Sequence, residues 1–313
     1  MLGPGYSSIM TAQVAPGTVR VGLSGWSYSN FRGKFYPKDV PSSKWLGYLA
    51  TQMPTVEINS SFYRLQRQST YAKWEAMVPE TFLFSVKGWR MVTHMRKLNN
   101  VSGDVAQFLQ TCVPVLGASM GPVLWQLPPS LKFDEETLET FLSELPKTHG
   151  EAAQIAKEIG VESNQGSSDA SPEDTQTPSL LPAEAGRAPS AGVDPAMPLR
   201  YALEPRNQTF ADPQVATILN RYGVAMVQSD SAGRYPSFDQ VTTDFVYVRL
   251  HGSPRMYYSN YSNEALEEWA SKITTWRAEG RDCFVYFDNT AAAYAPANAL
   301  ALTKMVNGEQ PAN

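Results

Sequence analysis

The run Arg200-Tyr201-Ala202-Leu203-Glu204-Pro205-Arg206 reads as a short apolar strand that stops on a carboxylate and a guanidinium. Side chains alternate between the two faces of a strand, so Glu204 and Arg206 share a face. The same design recurs along the chain. Apolar runs end at Val56-Glu57-Ile58-Asn59, Ser85-Val86-Lys87, Leu124-Trp125-Gln126, Gln228-Ser229-Asp230, Arg249-Leu250-His251 and Phe287-Asp288-Asn289. Strand after strand finishes in polar, chemically able groups, a pattern that points to a pocket at the strand ends.

Between these runs lie helical signals. Ser42-Ser43 opens a helix over 44–52, and Ser69-Thr70 opens one through Met77. An amphipathic helix covers 102–116, and Asp134 caps one over 134–145. Asp212-Pro213 is a cap followed by a first-position proline. Further helices cover 262–279 and 291–305. The strands fall at 19–25, 55–62, 82–87, 121–127, 200–206, 223–230, 245–251 and 282–289. Strands alternating with helices imply right-handed βαβ units and a parallel sheet. Eight such units, with polar C-terminal strand ends, predict an α/β fold of the (β/α)8 TIM-barrel type. A doubly wound open sheet would carry a Gly-rich phosphate loop after the first strand, and none is present.

The 313 residues fit one such barrel plus additions, since a barrel uses about 250. Residues 1–18 read as a loose tail, 19–306 as the barrel and 307–313 as a C-terminal tail. The segment 151–198 separates helix four from strand five. From Glu162 on it is rich in Ser, Pro, Glu, Asp, Gln and Ala, without periodicity or aromatics. Such a composition does not bury enough apolar surface to offset its ordering entropy. It reads as a disordered insertion, with a short helix over 151–159.

A formal charge of -4 supplies no global basic field for nucleic acid or anionic membrane. No run is apolar for the roughly 18 residues a membrane span needs. The start, Met1-Leu2-Gly3-Pro4-Gly5, lacks the basic and apolar regions of a signal peptide, so a cytoplasmic location is expected. Cys112 and Cys283 sit apart in apolar contexts and read as buried thiols. His149, at the border of the insertion, reads as a surface residue.

Three chemical readings compete for the strand ends. Glu57, Glu204, Asp230 and His251 are hard-ligand types that could serve a divalent ion or acid/base work. The histidines are too few for a zinc centre of the common kind, so no metal is assigned and no cofactor is specified. Arg64, Lys87, Arg206 and Arg249 could bind an anion; equally, they could pair with the interleaved carboxylates in a salt-bridge network. Aromatics crowd the loops, Trp26, Tyr28, Phe62, Tyr63, Trp89 and Tyr257 among them, and could stack on a sugar or base or simply pack the loops. Arg249-Leu250-His251-Gly252 places a histidine at a strand end, either as an acid or base or as a structural residue held by Glu204 or Asp230.

The motifs occur together in a recognisable order. Gly22-Leu23-Ser24-Gly25-Trp26-Ser27-Tyr28, Phe35-Tyr36-Pro37 and Glu57-Ile58-Asn59-Ser60-Ser61-Phe62-Tyr63-Arg64 come first. Phe84-Ser85-Val86-Lys87 with Thr93-His94, and Gly121 through Pro129, come next. Glu204-Pro205-Arg206, Arg249-Leu250-His251-Gly252 and Asn298-Ala299 complete the series. Together they resemble the YecE-like family, the domain of unknown function numbered 72, over roughly Arg20 to Met305 apart from the insertion. The resemblance implies a TIM barrel related in shape to the xylose isomerase and endonuclease IV group. It supplies no reaction. The chain departs from the family pattern at Asn207, where a histidine is usual, and at Asp288-Asn289-Thr290, where Asn-Asn-Asp is usual.

The expected function is an enzyme of hydrolase or isomerase type, with a small anionic or sugar-like, polyhydroxyl ligand at the C-terminal face. Glu57, Glu204 and His251 are the catalytic candidates. Trp26, Tyr28, Asn59, Tyr63, Arg64, Lys87, Gln126, Arg206, Arg249 and Asn289 are the ligand-binding candidates. The alternative is a non-catalytic module for nucleic acid, which would need a basic track such as Arg32, Lys34 and Lys38 or Arg90, Arg96 and Lys97.

Overall fold

A computed structural model describes residues 14–160 and 193–309. Nine parallel strand segments form one sheet: β1 (Val19–Ser24), β2 (Thr55–Ile58), β3 (Leu83–Lys87), β4 (Met120–Gln126), β5 (Tyr201–Glu204), β6 (Val224–Met226), β7 (Gln228–Asp230), β8 (Phe245–Leu250) and β9 (Asp282–Phe287). Their order is β6-β5-β4-β3-β2-β1-β9-β8-β7. The two ends of that order, β6 and β7, are halves of a single extended run separated by Val227. The first half pairs with β5 and the second with β8. The run 223–230, expected as one strand, therefore closes the sheet into a (β/α)8 barrel by changing partners midway.

The outer layer is built from α1 (Trp45–Ala50), α2 (Ser60–Tyr63), α3 (Gln68–Glu75), α4 (Ser102–Leu116), α5 (Glu135–Ser143), α6 (His149–Glu158), α7 (Pro213–Tyr222), α8 (Asn263–Ala278) and α9 (Ala295–Val306). The capping residues explain several starts. Asp134, Thr148, Asp212 and Ser262 each accept a hydrogen bond from a backbone N–H in the first turn that follows.

Two boundaries and one burial differ from the sequence reading in ways that the packing explains. Strand two was expected to reach Phe62 but ends at Ile58, because the Ser61 hydroxyl bonds the Ile58 and Lys87 carbonyls and turns the chain into α2. The last helix begins at Ala295 rather than Ala291. Ala293 has a left-handed φ of 64°, and Pro296 is accommodated in the first turn. His149 is buried, not a surface residue, because α6 packs on α4 with Ala152 and Ala156 facing inward. The chain returning at 194–199 is hydrogen-bonded to the start of α6, through His149 N to Met197 O and Gly150 N to Pro195 O. These margins of the expected 151–198 insertion are thus part of the fold. Its central part, 161–192, and the N-terminal stretch 1–13 lie outside the described residues.

Two apolar layers hold the molecule together. One fills the space between sheet and helices. The other fills the barrel interior with Leu124, Ala202, Ala225, Val227, Phe245, Tyr247, Phe284 and Tyr286. At the bottom, the Arg200 guanidinium lies over Phe245 and Phe284 and pairs with Asp282 at 2.7 Å. Midway, hydroxyls meet in pairs: Thr55 with Tyr286, and Ser85 with Tyr247. Moving up each strand by two residues brings the inward side chains to the mouth, and there most of them are ionic.

Candidate functional site

Alternation carries Ser24, Glu57, Lys87, Gln126, Glu204, Arg249 and Asp288 to the top of the barrel. Register fixes them as neighbours, with Ser24 beside Glu57 and Gln126 beside Glu204. Arg249 is the hub. Its Nε and Nη2 donate to the two oxygens of Glu57 at 3.1 and 2.8 Å. Its Nη1 donates to Glu204 at 2.7 Å, and Nη2 also reaches Asp288 at 3.4 Å. Tyr247 adds a hydroxyl donor to Glu57 at 2.7 Å, and Ser24 donates to the same carboxylate. Asn59 is tied to this group through Ser24 Oγ at 2.9 Å.

His251 stands between two carboxylates. Nδ1 lies 2.9 Å from Asp288 Oδ2, and Nε2 lies 3.3 Å from Glu204 Oε1. Asp230 does not hold it; that carboxylate accepts from Tyr261 OH and Ala232 N. Gly252, just after His251, has φ +94°, a backbone conformation that side chains rarely adopt. Tyr257 then folds back with its ring edge-on to His251 and a φ of 69°, unusual for so bulky a residue. Arg206 pairs with Glu204 at 3.1 Å and lies over the Tyr235 ring at 4.5 Å.

The electrostatics follow from this packing. Burial pushes the Glu204 carboxyl up, but Arg206, Arg249 and His251 more than reverse it and hold it well below the usual carboxylate range. Burial likewise raises Asp288, and the His251 hydrogen bond and Arg249 bring it below its ordinary value. Burial disfavours the Arg249 cation, yet Glu204, Glu57 and Asp288 lift it well above its usual range. Glu204, Asp288 and Arg249 thus hold one another in their charged forms.

Lys87 is different. No ion pair or hydrogen bond engages its amine among the described residues; its Nζ lies over the Phe62 ring at 4.6 Å. Burial first, and Arg249 second, pull its pKa down to about 8 despite Glu57, Glu204 and Asp288. His94 stands edge-on to the same Phe62 ring, with Nδ1 2.9 Å from the Thr93 hydroxyl. Burial and the neighbouring Lys87, Arg206 and Arg90 lower its pKa to about 4, so it is neutral at pH 7.

The sequence candidates thus separate. Glu57, Glu204, Arg249 and His251 come together, but at 0, 2, 1 and 0% exposure they form the floor and offer no open face. Lys87, Asn59 and Arg206 are partly open above them, as is Asp288, whose side chain is 15% exposed. The Gln126 side chain also makes no hydrogen bond among the described residues. Tyr28 closes one side, donating to Ser24 O at 2.7 Å, with its pKa pushed up to about 12 by burial and then by Asp288. Trp26 instead packs edge-on against Trp74, and Tyr63 and Arg64 are exposed on α2 and just after it. Asn289 faces away, its amide donating to Ser259 O and Asn298 Oδ1.

Three residues of the site, Ser24, Tyr247 and Tyr235, were not among the sequence candidates, and Asp288 was read as a polar strand end without an assigned role. Ser24 and Tyr247 follow from the same alternation that selected Glu57, Arg249 and His251. Tyr235 lies in the helix-free loop after β7, where no pattern marks it. Among the described residues no group of three or more His, Cys, Asp or Glu is arranged to hold a metal ion, and no helix is long and apolar enough to cross a membrane. Both cysteines are free and buried.

These features define a parallel (β/α)8 barrel protein with a charged, aromatic-lined mouth at its strand C-termini. The family model described as "Protein of unknown function DUF72" matches residues 20–313, and the chain belongs to that family. A curated relative, the UPF0759 protein YunF of Bacillus subtilis, is 31% identical over 116 residues, a match spanning 36% of this chain and 40% of the relative's length. A solved DUF72 family protein from Thermotoga maritima superposes with a TM-score of 0.67 at 21% identity, covering 93% of this chain and 99% of that one. Another from Enterococcus faecalis gives 0.65 at 17% identity, covering 93 and 96%. The likeness to these two structures is one of fold.

Proposed function

We propose that the barrel mouth binds a small polyhydroxylated ligand carrying a negative charge and acts on it by acid–base chemistry of the hydrolase or isomerase type. The observation that carries this reading is Lys87. A desolvated ammonium with no carboxylate partner costs stability unless a ligand completes it. Asn59 and Gln126 provide amide groups for hydroxyls, and Tyr28, Phe62, Tyr235 and Tyr257 provide ring faces. Asp288 is the carboxylate that meets the ligand. Its Oδ2 is held by His251 and Arg249, leaving Oδ1 free of hydrogen bonds among the described residues. Glu57, Glu204 and His251 act behind it as positioning residues.

The nucleic-acid alternative finds less support. Of its basic track, Arg32 lies over Trp45, Lys34 bonds the Ala292 carbonyl, and Arg96 pairs with Asp104 at 2.7 Å. A thermal-shift panel of sugar phosphates, neutral sugars, nucleotides, oligonucleotides and divalent metals, with chelator controls, tests the reading. A ligand at 100-fold excess over its Kd adds about 2.7 kcal/mol. A sugar-phosphate shift insensitive to chelator is expected. A shift with oligonucleotides alone, steeply weakened by salt, would replace this reading with the binding module.

A further inference from the structure

We propose that Lys87 is a covalent residue: its amine condenses with the carbonyl carbon of a small aldose or ketose held in the mouth, forming an iminium. This rests on the ligand reading above and deepens it. The geometry comes first. Lys87 ends β3 with its side chain aimed into the mouth, flanked by the Phe62 ring and by the strand ends of β2 and β4. An amine tied to a carboxylate has its protons and orientation committed; this one has no such partner among the described residues.

The charged groups acting on Lys87 are Arg249 on β8, Glu57 on β2, Glu204 on β5 and Asp288 after β9, and His94, in the helical turn Met91–Met95, shares its Phe62 ring. Their balance leaves the amine titrating near 8, so that about a tenth is neutral at pH 7. An ordinary lysine, near 10.4, has about one part in two thousand or less neutral there. Desolvation is the general route by which a lysine becomes a nucleophile. The step balances without an external oxidant or reductant. The neutral amine's lone pair attacks the carbonyl carbon and gives a carbinolamine; loss of the oxygen as water leaves the iminium. Overall, an ammonium and a carbonyl give an iminium and one water. The Asp288 carboxylate, backed by His251, is placed to move protons on and off the departing oxygen.

Reductive trapping tests this directly. The full chain is incubated at pH 7 with glycolaldehyde and cyanoborohydride, and each lysine's alkylation is followed by peptide mass spectrometry. Lys87 is expected to be modified at least tenfold faster than the exposed Lys73 and Lys304, with a rate that rises through pH 8 and levels above it. Lys87→Arg should lose that adduct alone, while its thermal unfolding stays that of a folded barrel. Modification of Lys87 no faster than Lys73 would overturn the proposal. Chelator-insensitive stabilisation by sugar phosphates, measured without hydride, reports separately on the ligand reading and is independent of the trapping result.

Discussion

Arg249 and Lys87 sit within one ring of charges and have opposite fates. Arg249 meets three carboxylates and is fully buried. Removing one partner of a buried ionic cluster leaves uncompensated charge, typically about 3–5 kcal/mol. Arg249→Leu is therefore expected to lower stability by at least about 3 kcal/mol in urea denaturation; a change below about 1 kcal/mol would show the network to be weakly coupled. Lys87→Met should do the reverse. Its folded pKa lies below the unfolded value, so the charged form is disfavoured by folding at pH 7. Removing it should leave stability unchanged or raise it by about 1–2 kcal/mol while ligand binding is lost. A strongly destabilised Lys87→Met variant would contradict an unpartnered amine.

The same residues set the acid limb of stability. Glu204 and Asp288 have depressed folded pKa values, so they contribute stability above the ordinary carboxylate range that is lost as pH falls through their folded values. His94 is lowered from 6.5 to about 4, so the unfolded chain binds the extra proton first and stability starts to fall below 6.5. Denaturation midpoints from pH 7 to 4 should decline in wild type, and His94→Gln should flatten the upper part of that decline. An unchanged profile in the variant would remove His94 from the account.

At the scale of elements, alternation along strands was the most informative pattern in the sequence. It put Glu57 with Asn59 and Arg249 with His251 on shared faces, and the barrel keeps those pairings. It also selects Asp288 over Asn289, since the inward face of β9 passes through Phe284 and Tyr286. What the pattern lacked was the competition from local hydrogen bonds. Ser61 ends β2 early by bonding two carbonyls, and the alternation through 55–62 carries no sign of that bond. Depth was hidden as well. A carboxylate at a strand end reads alike whether it lines a pocket or lies beneath one, because burial is set by partners distant in sequence. Gly88 shows such a constraint: a Cβ there would stand 2.2 Å from the Trp125 ring. Gly88→Ala should cost about 1–3 kcal/mol through overpacking, read as a lower thermal midpoint; a neutral outcome would mean that Trp125 can shift.

For the whole molecule, the sequence order of strands and helices was enough to fix the barrel, since parallel neighbours joined by right-handed crossovers leave few topologies. Closure at Val227, where one strand serves two neighbours, has no sequence mark. The barrel gathers charge from β2, β3, β5, β8 and β9 into one network, in which Arg249 pairs with Glu57, Glu204 and Asp288 while the Lys87 amine has no direct partner among the described residues. Calorimetric titration with ribose 5-phosphate at pH 7, on wild type and Lys87→Met in parallel, tests that division most directly. Saturable binding to wild type, weakening above pH 8 and absent in a fully folded Lys87→Met, is the expected result. Equal affinity for both proteins would show that the amine takes no part in binding and would contradict a ligand site built on Lys87.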